Sequence, residues 1–350
     1  MSIGPNWFAA VMGTGIVATA AELLPVELPG RHELAVVFWL LAVVLLLVLG
    51  AATAADWLRH PGRARRHLAD PAMAPFYGAP PMALLTVGAG TLLVGGDLIG
   101  PHAAVRVDAA LWVAGTAAGL VSTVAVPVAM VTRHRLHPSM TLGSWLMPVV
   151  PPMVSAATGA ALVGHLPAGQ ARLTLLIGCG ALFGISLLAS LVLIALLWGR
   201  LVHYGLPEAR LVPTLWIVLG PLGQSVTAAS LLAVAAGDVL PRRLSELAVA
   251  AAVVYGVPVW GFAMAWLAIA AALTVRARPP FSLTWWAFTF PVGTCVTAAS
   301  LLAVHTGAHV LSAAALALFA LLLAGWGAAA VNTAHGAATG ALLRAAVVAD

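Results

Sequence analysis

Gly223, Thr227 and Ser230 stand at i, i+4 and i+7, and seventy residues later Gly293, Thr297 and Ser300 repeat the spacing. In a helix of 3.6 residues per turn each trio shares one face. Hydroxyls and bare glycine backbone on such a face offer hydrogen bonds without a formal charge, which holds a small anion weakly and suits passage over capture. The "MGTG" of the first apolar run adds Gly13, Thr14 and Gly15 to the same class. Close helix packing is the other use of glycine, serine and threonine in an apolar setting, and it competes with this reading at each single residue.

Other chemistries lack their residues. Cys179 and Cys295 both lie inside apolar runs, so neither a disulfide framework nor a paired-ligand zinc site is on offer. Haem ligation needs histidines deep in two facing helices. His32, His60, His67, His102, His134, His137, His165 and His203 fall in loops, and His305, His309 and His335 near helix ends. No metal, no cofactor and no enzyme are expected, and a membrane redox protein is the weaker alternative. No arginine, lysine, aspartate or glutamate stands in the middle of an apolar run, so no proton relay or fixed counter-ion can be named. The sixteen arginines face eleven acids, with no lysine. They come in short clusters, whereas nucleic-acid binding needs a continuous basic face.

The elements that must position these residues belong to a membrane protein. Of 350 residues 62% are hydrophobic and 8% charged, where a soluble domain has about 25% charged residues. A span needs roughly 20 apolar residues. Ten runs qualify, at about 7–24, 34–55, 76–94, 107–131, 142–163, 173–198, 211–236, 247–275, 283–304 and 310–343. The start has no basic n-region, so the first run is expected to be retained. The loops after the even-numbered runs, with the C-terminus, hold Arg59, Arg63, Arg65, Arg66, Arg133, Arg135, Arg200, Arg210, Arg276, Arg278 and Arg344. The opposite loops hold only Arg31, Arg106, Arg172, Arg242 and Arg243. Arginine bias marks the cytoplasmic side, which puts both termini there.

The stretch "PLGQSVTAASLLAV" from Pro221 returns as "PVGTCVTAASLLAV" from Pro291. The same step backwards reaches Pro151 and Pro81, then Val11 beside "MGTGIVA". The chain therefore reads as one transmembrane domain, 1–350, of five hairpin repeats of about 70 residues. Two crossings per unit keep all repeats parallel, and five parallel hairpins can close into a quasi-fivefold ring around a central pore. Pro81, Pro151, Pro221 and Pro291 all fall on odd-numbered helices. A helix-interior proline kinks its helix and frees a backbone group, which lipid tolerates only beside protein or a cavity. The odd-numbered helices are thus expected inside.

The motifs "NWFAAVMGTGIV" from Asn6, "LGSWLMPVVPPMVSAATG" from Leu142, "VPVWGFAMAWLAIA" from Val257 and "FSLTWWAFTFPVGT" from Phe281 resemble the tellurite-resistance and dicarboxylate transporter family. That family includes bacterial tellurite-resistance permeases, the yeast malate permease, fungal sulfite pumps and the slow anion channels of plant guard cells. The resemblance covers essentially the whole chain. It implies ten helices in five hairpins, an inner ring of odd-numbered helices around a pore, a homotrimer with one pore per protomer, and a phenylalanine on the ninth helix that plugs the pore. In "WWAFTFP" that residue matches Phe290, with Phe288 the neighbour most easily confused with it. His335 stands where the resemblance implies a basic residue, which makes a charge at that mouth pH dependent.

The expected function is a permease or gated channel for small anions in the plasma membrane, of C4-dicarboxylate (malate) or sulfite type. Efflux of sulfite or tellurite oxyanions that confers resistance is the alternative. A purely structural or sensory membrane protein is disfavoured by the absence of a long soluble domain. The arginine split makes a direct prediction: reporters fused after Arg66 and Arg135 are cytoplasmic, and reporters near Gly100 and Gly169 are external. The reverse pattern would overturn the orientation.

Overall fold

A computed structural model describes residues 4–340 and Leu342. Leu343, the expected end of the last apolar run, and Arg344 lie outside the described residues. The helices are α1 (Phe8–Glu22), α2 (Arg31–Arg59), α3 (Arg63–Ala69), α4 (Ala79–Gly90), α5 (Gly96–Ile99), α6 (Pro101–Arg133), α7 (Pro151–Leu162), α8 (Gln170–Tyr204), α9 (Leu219–Ala236), α10 (Arg242–Ala277), α11 (Phe290–Thr306) and α12 (His309–Ala338). There is no strand among the described residues. Eight helical stretches among them are long and apolar enough to cross a membrane: 31–59, 74–99, 101–133, 170–204, 209–236, 242–277, 283–306 and 309–338.

The other two expected spans hold α1 and α7, of 15 and 12 residues. At 1.5 Å per residue their α-helical parts reach about 22 and 18 Å, short of a hydrocarbon core of about 30 Å. Sequence hydropathy counts residues, whereas here part of each run is spent on irregular or 3₁₀ backbone, at Pro5–Trp7 before α1 and Gly143–Leu146 before α7.

The same interruption explains the prolines. Stretches of 3₁₀ helix at Ala74–Gly78, Ala209–Val218 and Leu283–Phe288 run into or up to α4, α9 and α11. Pro81, Pro151, Pro221 and Pro291 all fall in the first turn of the α-helix that follows, and all four are buried. First-turn amides have no partner within the helix, so proline costs little there and its fixed φ favours the start. The expected kinks inside continuous helices are therefore junctions between two helical forms. The prolines begin the α-helical halves.

Neighbouring helices pair: α1 with α2, α4 with α6, α7 with α8, α9 with α10, and α11 with α12. A second set of contacts links α1 to α4, α4 to α7, α7 to α9, α9 to α11, and α11 back to α1. The long helices α2, α6, α8, α10 and α12 expose large aliphatic side chains such as Leu47, Val121, Leu188, Val254 and Val331. Such an aliphatic surface suits hydrocarbon. α1, α4, α7, α9 and α11 are buried along most of their length.

Two arginines of the less basic side act as backbone clamps. Arg31 donates to the carbonyls of Leu24 and Val26, both at 3.1 Å, beyond the end of α1. Arg172 donates to Leu166 at 2.8 Å and Gly164 at 3.0 Å beyond α7. On the opposite side Arg200 is buried and donates to Ser139 O at 3.0 Å and to Gly205 O.

Glycine sets how closely the inner helices approach. A Cβ on Gly223 would stand 2.6 Å from the backbone carbon of Thr294 and 2.7 Å from Cys295 N. Backbone cannot swing aside, so Gly223→Ala is expected to cost about 1–3 kcal/mol of stability. Gly178, on α8, has nothing within 4 Å of that position, and Gly178→Ala is expected to be neutral or stabilising, by up to ~1 kcal/mol from helix propensity. Thermal unfolding in detergent checks the pair; equal behaviour would contradict the close α9–α11 approach.

Candidate pore

All five buried helices meet around one cavity of about 90 Å³. α1 contributes Ile16 and Thr19; α4, Thr86 and Ala89; α7, Val154 and Thr158; α9, Gln224 and Thr227; α11, Phe290 and Thr297. Its walls are otherwise alanine and leucine. The repeated motifs touch here: Thr227 and Thr297, seventy residues apart, share a hydrogen bond of 2.7 Å between their hydroxyls.

Of the residues expected to line a pore, Thr227, Thr297 and Phe290 reach this cavity. Gly223 meets the backbone of α11, and Gly293 meets Ile16. Gly15 faces Thr86, and Gly13 packs against Thr289 and Trp286. These four glycines permit close packing, which is the competing use given to them above. Thr14 points toward α12: its hydroxyl donates to Ala10 O at 2.7 Å and accepts from Trp326 Nε1 at 3.0 Å. Ser300 donates to Val296 O at 2.9 Å. Ser230 is buried with its hydroxyl unpartnered among the described residues, and it is not part of the cavity wall.

Phe290 is the first residue of α11 and only 3% exposed, with its side chain on the cavity. Phe288 turns elsewhere, edge-on to Trp216 at 4.9 Å and to Trp285 at 5.8 Å between ring centres. Pro291, next to Phe290, borders a separate cleft of only about 20 Å³, shared with Met12, Phe76, Met147, Ile217 and Trp286. Those residues come from α1, α11 and the stretches just before α4, α7, α9 and α11.

Phe76, Leu283 and Thr284 line both this cleft and a large vestibule of about 900 Å³. The vestibule is the polar part of the molecule. Arg63, Arg66, His67 and Asp70 reach it from in and around α3, joined by Arg210, Asn332 and His335. Arg63 is paired with Asp56. The His67 ring is held below its ordinary value, first by burial and then by the Arg63 charge, so it is neutral at pH 7. The order along the molecule is basic vestibule, narrow cleft, Phe290, then the neutral cavity.

The family model for voltage-dependent anion channels matches residues 2–334. The chain belongs to this family. Among its relatives is the sulfite efflux pump of Trichophyton rubrum, 31% identical over 301 residues, covering 84% of this chain and 80% of the pump. A transporter of Methanocaldococcus jannaschii is 26% identical over 306 residues, covering 85% and 82%. A putative malic acid transport protein of Schizosaccharomyces pombe is 21% identical over 296 residues, covering 81% and 68%. Members of the voltage-dependent anion channel family with these names are transporters and channels, so this multi-span chain is placed among membrane anion transport proteins, and the expected resemblance holds.

Within that family frame, four polar cavity residues escaped the sequence reading: Thr19, Thr86, Thr158 and Gln224. A signal for Gln224 existed. In "PLGQ" against "PVGT" it stands where the repeat has Thr294, and Thr294 is turned away, donating to Pro291 O at 2.7 Å. Asp108 also departs from expectation. It is the second residue of the expected run at about 107–131, yet it is fully buried against Gly88 of α4, with both carboxyl oxygens unpartnered among the described residues.

Proposed function

We propose that this protein is a plasma-membrane channel or permease for small anions, with the path running from the basic vestibule past Phe290 into the cavity. The observation that carries the reading is the cavity itself: five helices from five successive segments converge on it, and an aromatic ring stands beside it at the break in α11. The cyclic order of contacts supports five parallel hairpins in a quasi-fivefold ring with α2, α6, α8, α10 and α12 outside. In that ring α1 and α7, with their 3₁₀ extensions, complete ten spans. The arginine split supports cytoplasmic termini and a cytoplasmic vestibule. A homotrimer with one pore per protomer belongs to the proposal on the family resemblance alone.

Arginines at the vestibule raise the local anion concentration within about a Debye length, roughly 8 Å at physiological salt. Beyond Phe290 no charged side chain lines the cavity, so an anion is drawn to the mouth without being trapped inside. The small cavity and the sulfite-pump relatives favour a compact sulfite-type anion over an extended malate-type dicarboxylate.

Removing the plug is the test. Phe290→Ala is expected to raise anion flux into proteoliposomes at least about tenfold, equivalent to a barrier lowered by ~1.4 kcal/mol. The apolar ring excludes ions both by bulk and by dewetting the constriction. Phe288→Ala removes packing on Trp216 and Trp285 and is expected to lower stability without raising flux. A folded Phe290→Ala protein that moves no anion faster than the parent would remove Phe290 as the gate.

A further inference from the structure

An anion in the cavity needs hydrogen-bond donors, and each threonine hydroxyl has one proton to give. Those protons are already committed. Thr86 donates to Met82 O at 2.6 Å and Thr158 to Val154 O at 3.0 Å. Thr297 donates to Thr294 O at 3.0 Å, which leaves Thr227 as the donor in the 2.7 Å bond between the two hydroxyls. Thr19 donates to Gly15 O at 3.5 Å, the longest of the set. Five hydroxyls therefore present lone pairs to the cavity, and lone pairs repel a bare anion.

Gln224 is different. It is 5% exposed, borders the cavity, and its amide has no side-chain or backbone partner among the described residues. Its NH₂ supplies two uncommitted N–H donors, and its carbonyl oxygen is a neighbouring acceptor. The side-chain lining thus offers a single strong donor group amid many acceptors. That is a poor match for a halide or nitrate, which only accept. It matches a monoanion that accepts from the amide and donates a proton of its own to the amide oxygen or to a threonine.

Resting on the reading of this cavity as the anion path, we infer that Gln224 is the residue that contacts the anion and that the substrate class is a monoanionic oxyacid retaining an O–H. Hydrogen sulfite and nitrate are suitable probes, because both are three-oxygen monoanions and they differ in carrying that proton. A site built to hydrogen-bond an O–H or N–H discriminates strongly against an analogue lacking it, since the buried partner is left unpaired.

The experiment measures initial uptake of hydrogen sulfite and of nitrate into proteoliposomes holding the full chain, with protein-free vesicles subtracted. The parent is expected to favour hydrogen sulfite at least tenfold. Gln224→Met, similar in size but with neither the amide donors nor the acceptor oxygen that takes the substrate's proton, is expected to lower that ratio about tenfold. The ratio cancels differences in folded fraction, and the parent's own preference tests the substrate class without any variant. A parent that moves nitrate as fast as hydrogen sulfite would overturn the substrate class, and a Gln224→Met protein that keeps the parent's ratio would overturn the role of Gln224. Both results leave anion transport standing. A parent that moves no anion at all would instead overturn the proposed function, and this inference with it.

Discussion

Within hydrocarbon no water is available to a peptide group, so any break in a helix must be repaired inside the protein. The buried helices of this chain break repeatedly. Their 3₁₀ stretches give way to α-helix at Pro81, Pro151, Pro221 and Pro291, and each junction is shielded by the other buried helices. Proline is tolerated because the first-turn amide it removes was already without a helical partner. Glycines at Gly15, Gly223 and Gly293 then let the shielding helices approach until backbone or branched side chains touch. The long outer helices carry the aliphatic surface and thereby allow the inner ones to be irregular.

That arrangement separates two electrostatic tasks. Charge gathers at the vestibule, where Arg66 and Arg210 stand in a large polar space, and the cavity beyond Phe290 is left with dipoles only. A buried fixed charge at that depth would hold an anion too tightly to release it, and would itself be costly to bury. In the proposed path, attraction and selection are assigned to different places, with an apolar ring between them.

Much of this was legible in the sequence because repetition is a strong signal. The register from Pro221 to Pro291 found the inner segments and matched Thr227 with Thr297, which meet directly. The helix face was harder. A helix that is apolar all round gives no moment by which to fix its rotation, so the expected stripe through Gly223 and Ser230 was turned from the observed one through Gln224, Thr227 and Leu231. Hydropathy likewise overestimated α1 and α7, since it does not distinguish α-helix from 3₁₀ turns. Asp108 was missed because burial beside Gly88 depends on which helix packs there, and one residue near a span's edge does not reveal that.

The central claim is that one continuous path crosses the protein and is closed at Phe290. Accessibility of single cysteines tests it most directly. Leu93→Cys reports on the cavity and Thr284→Cys on the vestibule, in a background with Cys179 and Cys295 replaced by serine. A membrane-impermeant thiol reagent is applied from either side of sealed vesicles. With Phe290 intact, the cavity cysteine is expected to react only from the external side and the vestibule cysteine only from the cytoplasmic side, and Phe290→Ala is expected to open both to both sides. A cavity cysteine that reacts from both sides with Phe290 in place, or from neither side once it is removed, would contradict the account.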